Sequence, residues 1–321
     1  MAVHLVLRAL GLGDLITAIP ALRALRKAWP DDQLVLAAPH GLDPIVKLID
    51  AVDELWPTSG LSEFVFDIRR PGRGGVDHHL DQFDRVVNLQ DGGPESIECL
   101  LQLRPNALIT YAHPDFPQLF GPSWNPAQQE TDRWCSLLES FDIATDRADL
   151  RLRPPEQPSP YPGVAVIHPG GAFRARRWPP GRFADVARQL AAEGHRLVIT
   201  GTAYERKLCC WIAARAGLPE SVVIAGRTDL GQLAAIIAGA ELIICGDTGT
   251  GHLATALDAP SVLLFGPTPP SHWGPTTGAS PHIALWAGHV GDPLGTRPDP
   301  GLLQLQVDQV LDTARQVLQA A

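Results

Sequence analysis

The segment Gly246-Asp247-Thr248-Gly249-Thr250-Gly251-His252-Leu253 gathers a carboxylate, a hydroxyl and an imidazole into one glycine-rich turn. It follows the apolar run Ala240-Glu241-Leu242-Ile243-Ile244-Cys245, which reads as a buried parallel strand. It leads into His252-Leu253-Ala254-Thr255-Ala256-Leu257, which reads as the first turns of a helix. Glycines at such a junction let backbone N–H groups approach an anion closely, and the helix N-terminus adds a partial positive charge. The chemistry expected here is capture of a phosphorylated ligand.

A second junction, Gly11-Leu12-Gly13-Asp14, directly follows the first strand-like run. It partly matches a dinucleotide fingerprint, but Ile16 stands where the third glycine belongs, and the second strand ends Ala37-Ala38-Pro39-His40 with no acidic residue. The nicotinamide reading thereby loses two of its physical requirements. Asp14 has two roles open to it, capping the following helix and projecting from the turn toward a ligand; they can coexist, and taken alone the position favours the cap.

A third junction is His168-Pro169-Gly170-Gly171-Ala172-Phe173-Arg174-Ala175-Arg176-Arg177-Trp178-Pro179. Its three arginines form either a phosphate clamp, because guanidinium forks match phosphate oxygens, or a solvated basic loop. Trp178-Pro179 is a packing and helix-entry device. Other chemistries lack their residues. His252 stands where a Walker loop needs lysine, and there is no Asp-x-Asp pair for a metal diphosphate. The Gly-x-Ser-x-Gly elbow is absent, and His78-His79 has no further ligand-spaced partner.

The elements that must position these groups alternate along the chain. Strand-like runs at residues 4–8, 34–38, 53–56 and 85–89 are interleaved with helical patterns at 14–27, 44–49 and 95–103. A proline-dense stretch between Arg153 and Gly163 makes a semi-rigid linker. The alternation then restarts: strands at 164–167, 196–200, 222–224, 240–245 and 261–265, with helices at 182–193, 203–216, 230–238 and 302–318. This predicts an α/β chain of two Rossmann-like domains facing across a cleft, with ligands beyond the carboxyl ends of the strands. The domains expected are an N-terminal one over residues 1–155, a C-terminal one over 163–300, and a terminal helix over 301–321 that packs back on the first domain.

Composition agrees with an enzyme-sized globular protein. The chain has 321 residues, 45% of them hydrophobic, and a formal net charge of −9 that excludes a general nucleic-acid surface. The five cysteines include no C-x-x-C pair, so reduced thiols are expected and a disulfide framework is not. With no signal-like or membrane-spanning run, a cytoplasmic protein is expected.

Taken together the motifs resemble glycosyltransferase family 9, the ADP-heptose:lipopolysaccharide heptosyltransferases, whose fold is GT-B. The resemblance runs through five ordered blocks between residues 13 and 275: Gly13-Asp14-Leu15-Ile16-Thr17 through Arg26, His168-Pro169-Gly170 through Pro179, Gly226-Arg227-Thr228-Asp229-Leu230, Asp247-Thr248-Gly249 with His252-Leu253-Ala254, and Phe265-Gly266-Pro267-Thr268.

The resemblance implies an inverting transfer of a sugar, with ADP-heptose as the best single donor, to a hydroxyl in lipopolysaccharide, another glycan or a glycosylated metabolite. It makes Asp14 the catalytic base. Gly170, Arg174, Arg176, Thr248 and Gly249 fall on the donor side, Asp247 and His252 order that loop or touch the sugar, and Glu205 suits ribose hydroxyls. Arg176 departs from the family's usual lysine, exchanging a point charge for a planar fork. Gly13, Asn88, Gln90 and Asp91 fall on the acceptor side, although strand-end residues also satisfy local backbone groups. No cofactor or metal is required, because backbone donors and the cationic loop can stabilise the departing diphosphate. A monomer is expected, with Arg69-Arg70-Pro71-Gly72-Arg73 as a candidate for peripheral membrane contact. Two other outcomes are a nucleotide-sugar-binding protein without catalysis and a GT-B-fold epimerase.

Overall fold

The computed structural model describes residues 1–69, 83–275 and 281–320, with the backbone alone for 66–69. The His78-His79 pair and the side chains of the Arg69 to Arg73 stretch lie outside the described residues. The chain divides into two compact units, Met1–Leu150 and Arg151–Ala321.

The first unit runs β1 (Val3–Leu7), α1 (Leu12–Thr17), α2 (Ile19–Ala28), β2 (Gln33–Ala38), α3 (Asp43–Ile49), β3 (Glu54–Pro57), α4 (Leu61–Arg69), β4 (Arg85–Asn88), α5 (Pro94–Leu101), β5 (Ala107–Ile109) and α6 (Glu130–Glu139). Its strands pair in parallel in the order β3-β2-β1-β4-β5. Leu5, Leu7, Val35, Ala37 and Val86 from this sheet join Trp56, Phe64 and Phe83 in a buried cluster. The single helix expected over residues 14–27 is two, because the chain turns at Ala18 and Pro20 sits in the first turn of α2, where a missing N–H costs nothing.

The second unit runs β6 (Ala165–His168), α7 (Pro180–Ala192), β7 (Leu197–Ile199), α8 (Arg206–Ala216), α9 (Leu230–Ala238), β8 (Leu242–Gly246), α10 (Gly249–Ala256), β9 (Ser261–Leu264), α11 (Pro270–Trp273), β10 (His282–Leu285), α12 (Pro300–Gln304) and α13 (Val307–Ala320). Its parallel order is β10-β9-β8-β6-β7, and Val223 extends it beyond β7 through an isolated bridge to Ile199. Residues 222–224, expected as a strand, contribute only that bridge.

Both sheets have the doubly wound order, in which the chain reverses direction across the sheet between two neighbouring strands. The reversal lies between β1 and β4 in the first unit and between β6 and β8 in the second. Side chains following the carboxyl ends of those strands are therefore placed around the crevice where such sheets bind ligands.

Two expected boundaries move. The proline-dense stretch is anchored to the second unit at both ends, with Leu152 N–H donating to Ala256 O at 2.7 Å and Gly163 N–H to Gly239 O at 2.7 Å. The terminal helix, set apart in the sequence as a separate piece, belongs to the second unit: Val310, Leu311, Ala314 and Val317 of α13 are buried in its core with residues of α7 and β9. Its apolar face is already covered there.

Candidate active site

In the first unit the β1 end supplies Arg8 and the turn that starts α1. Gly11 is the N-cap, so Asp14 lies inside the helix at the third position, and its Oδ2 accepts the Gly11 N–H at 3.1 Å. The Asp14 side chain thus takes the capping role, and it keeps 31% of its surface exposed. Gly13 lies beside it in the same first turn. Burial raises the Asp14 carboxyl above its ordinary value; the Arg8 charge and the Gly11 hydrogen bond pull it back, and Glu130 pushes it up.

Arg8 escaped the sequence reading, where it was only the last residue of the strand-like run at 4–8. It is buried, donating to Asp14 O at 3.0 Å, Leu89 O at 2.5 Å and Glu130 Oε1 at 3.0 Å. It thereby ties the ends of β1 and β4 to α6. An arginine closing a strand before a glycine turn was a usable signal. Nothing local points to Glu130, 122 residues away.

The β4 end is wired from within. Asn88 is wholly buried, and its amide donates to Ser96 Oγ at 2.9 Å and Thr110 Oγ1 at 3.2 Å. Gln90 Oε1 accepts the Ala9 N–H at 2.7 Å, fixing the chain just before the Asp14 turn. Asp91 Oδ1 accepts from Gly93 N–H at 3.0 Å and Ser96 Oγ at 2.5 Å, closing the entry to α5. Of these residues Asn88 offers a ligand no surface, because it is buried and its side chain is engaged by Ser96, Thr110 and the Gln90 N–H.

In the second unit the glycine-rich segment is less a free turn than a helix start. Thr248 is the N-cap in extended conformation, and α10 begins at Gly249. Gly251 belongs to packing: a Cβ there would lie 3.1 Å from Leu263 Cδ2 and 3.3 Å from Cys245 Sγ. Gly246 admits the neighbouring loop, since its Cβ would stand 2.9 Å from Arg176 O. That close approach brings Arg176 Nη1 to 4.0 Å from Asp247 Oδ2, while His252 Nε2 lies 4.0 Å from Asp247 Oδ1. Asp247 is buried and lies between the Arg176 and His252 side chains at the N-terminus of α10. Arg176 Nε is buried with no hydrogen-bond partner.

The three loop arginines separate. Arg174 is exposed, Arg177 donates to Gly171 O at 2.7 Å, and Arg176 alone faces Asp247. The Arg177 contact, which was not foreseen, shapes the loop after β6. Glu205 shapes it from the other side: Oε1 accepts Gly171 N–H at 2.9 Å, and Oε2 accepts Thr202 N–H at 2.8 Å and Thr202 Oγ1 at 2.9 Å. Gly170 is the residue this requires, as a Cβ would come 2.3 Å from Glu205 Oε1. Burial opposes the Glu205 charge, but the bonds from Thr202 and Gly171 outweigh it and hold its carboxyl below the ordinary value. His168 is buried against Thr200 Oγ1 at 2.9 Å, and burial lowers its pKa although the Glu205 charge opposes this. Among the described residues no cluster of three or more His, Cys, Asp or Glu is placed to hold a metal ion, and no helix is long and apolar enough to cross a membrane.

Known proteins share this fold. The structure aligns over 100% of the chain with 98% of a family 9 glycosyltransferase from Veillonella parvula, TM-score 0.79 at 20% identity. It aligns over 100% of the chain with 99% of the E. coli ADP-heptose LPS heptosyltransferase II, TM-score 0.77 at 21% identity. Both likenesses give the GT-B fold. In sequence, 53% of the chain is 27% identical to lipopolysaccharide heptosyltransferase 2 of Salmonella typhimurium, and the matched part spans 45% of that curated relative. The family model of the heptosyltransferases matches residues 119–289, more than half of the chain and parts of both units. With that match, and with its site residues at the crevices of two doubly wound sheets, the chain belongs to glycosyltransferase family 9.

Proposed function

We propose that this protein transfers heptose from ADP-heptose to an acceptor hydroxyl in the lipopolysaccharide core. The acceptor oxygen loses its proton to Asp14 as it attacks the anomeric carbon, the bond from that carbon to the diphosphate oxygen breaks, and ADP departs, so the product is inverted. The observation that carries the reading is the state of Asp14: it is held at the turn by the Gly11 N–H, partly exposed, and more basic than an ordinary aspartate. General-base help of this kind is worth ~10²–10⁴-fold.

The second unit supplies the leaving-group side. The first N–H groups of α10 and the Arg176 fork take the diphosphate, with Arg174 as an outer charge. A phosphate oxygen would give Arg176 a partner of the geometry its fork matches. Asp247 and His252 keep the loop in place and border the sugar. Glu205, besides shaping the Gly170-Gly171 loop, presents a carboxylate to the ribose hydroxyls. On the acceptor side Gly13, Gln90 and Asp91 border the base, and Asn88 supports them from beneath. The donor and acceptor classes follow from the family and from what its solved member is named for. Reaction on the cytoplasmic side by a monomer, with no added cofactor, completes the proposal.

The test is ADP release by purified protein given ADP-heptose, with and without a lipopolysaccharide-core acceptor. Acceptor-dependent release is expected. Binding of ADP-heptose with no turnover would leave a non-catalytic sugar-nucleotide binder, and donor-only change in the sugar's configuration would leave an epimerase. Thermal shift with ADP-, GDP- and UDP-sugars checks the base, because the true donor stabilises the native state.

A further inference from the structure

A base beside a buried guanidinium faces a conflict. Arg8 fixes the turn that carries Asp14 through its bond to Asp14 O, but its Nη2 also lies 3.7 Å from Asp14 Oδ1. An uncompensated positive charge there would depress the carboxyl and weaken it as a base. Glu130, the first residue of α6, answers that charge. Its Oε1 accepts from Arg8 Nη2 at 3.0 Å and from Trp134 Nε1 at 2.9 Å, and its Oε2 from Arg133 Nε at 3.0 Å. Trp134 lies over the Arg8 guanidinium at 4.6 Å from its ring centre. Arg133 sits behind, donating to Asn125 O at 2.6 Å and Gln128 O at 3.1 Å. The charges acting on Asp14 among the described residues are thus Arg8 from the end of β1 and Glu130 from α6.

A buried ion pair is a weak source of stability, because desolvating two charges offsets much of their attraction. The position of this one suggests another purpose. We propose that Glu130 is a positioning residue for Asp14: through Arg8 it fixes the turn that carries the base, and by matching the Arg8 charge it leaves the Asp14 carboxylate basic enough to accept the acceptor's proton. This rests on Asp14 being the base.

The experiment is the pH profile of kcat/KM for wild type, Glu130→Gln, Glu130→Asp and Asp14→Asn. In Glu130→Gln the Arg8 charge acts on Asp14 unopposed, so its pKa falls. The acid limb of the profile should move down by about one pH unit and the plateau kcat should drop roughly tenfold, with the donor KM unchanged. Glu130→Asp keeps the charge and should hold the limb where wild type has it. A merely structural role would lower activity by one factor at every pH, and an unmoved limb in a folded Glu130→Gln overturns the proposal. Should Glu130→Gln not fold, the double variant Arg8→Met/Glu130→Gln removes both charges. Because the two charges offset each other at Asp14, the limb should return close to wild type; a limb displaced upward by about one pH unit would mean that Glu130 does not answer the Arg8 charge, and overturns the proposal equally. Turnover surviving in Asp14→Asn would instead remove the base assignment itself, whereas an inactive Asp14→Asn beside an unmoved Glu130→Gln limb removes only the role of Glu130.

Discussion

The Glu205 carboxylate accepts the Gly171 N–H at 2.9 Å and so ties the segment after β7 to the loop after β6. The contact exists because Gly170 has no side chain, since a Cβ there would sit 2.3 Å from the same oxygen. Gly170→Ala should therefore displace the carboxylate and lose its bonds, lowering stability by about 2 kcal/mol, and Glu205→Ala should lower it by a similar amount. The two are expected to be non-additive, because the Cβ meets no obstacle once the carboxylate is gone. Chemical denaturation of the two single variants and the double checks this; additive losses would contradict the steric link.

The same carboxylate predicts a pH dependence. Its pKa is lowered in the folded protein, so the stability it contributes is fully present above the ordinary glutamate range. That stability is lost as pH falls from there through the folded value. Glu205→Gln should flatten the acid side of the stability curve relative to wild type and leave the neutral side parallel to it. Midpoints of thermal unfolding collected between pH 3 and 8, a window chosen around the ~4.3 reference value, make the comparison.

For Asp14 the sign is opposite. Its folded pKa is raised, so the active carboxylate form disappears at a higher pH than an ordinary aspartate would dictate. The acid limb of kcat/KM should lie above the ~3.9 reference value, and Asp14→Asn should remove turnover by ~10²-fold or more while leaving the Kd for ADP nearly unchanged. Calorimetry with ADP and a stopped assay separate the two effects. Loss of ADP binding in the variant would mean that Asp14 holds structure rather than moves a proton.

The parts of this architecture legible in the sequence are those written locally. Each junction of an apolar run with a glycine turn, at Gly11, Gly170 and Gly246, proved to follow a strand at a reversal of one of the two sheets. The order of these junctions carried the family resemblance. Contacts made at long range were illegible. Glu130 meets Arg8 only because α6 packs beside the β1 end, and α6 follows a stretch interrupted by Pro122 and Pro126 that shows no clear periodicity. Strand β10 was missed because it is an edge strand of four residues, His282–Leu285, all half-buried and so without the fully apolar signature of a central strand. Glycine itself misled at Gly249 and Gly251, which belong to the first turn of α10 rather than to a loop; at Gly251, close packing on Cys245 and Leu263 outweighs helix propensity.

The approach of Arg176 to the α10 N-terminus gives the last prediction. Arg176 O would stand 2.9 Å from a Cβ at position 246, and Arg176 Nη1 lies 4.0 Å from Asp247 Oδ2. Gly246→Ala must push the arginine's backbone away from the site, and backbone yields less readily than the tip of a side chain. The variant should therefore weaken donor binding without touching any charge. Arg176→Ala removes the charge and leaves the backbone in place, and should lower kcat/KM by ~10²-fold, the scale of losing one donor to a developing oxyanion. Arg176→Lys keeps the charge and loses the fork, so it should fall between wild type and alanine if the diphosphate is gripped at two oxygens. The discriminating measurement is KM for ADP-heptose against kcat across the three variants. Gly246→Ala should act mainly on KM and Arg176→Ala on both, since a cation facing the leaving group stabilises it more as the bond breaks than before. An Arg176→Ala enzyme with wild-type kcat would place the arginine at the periphery of the donor instead.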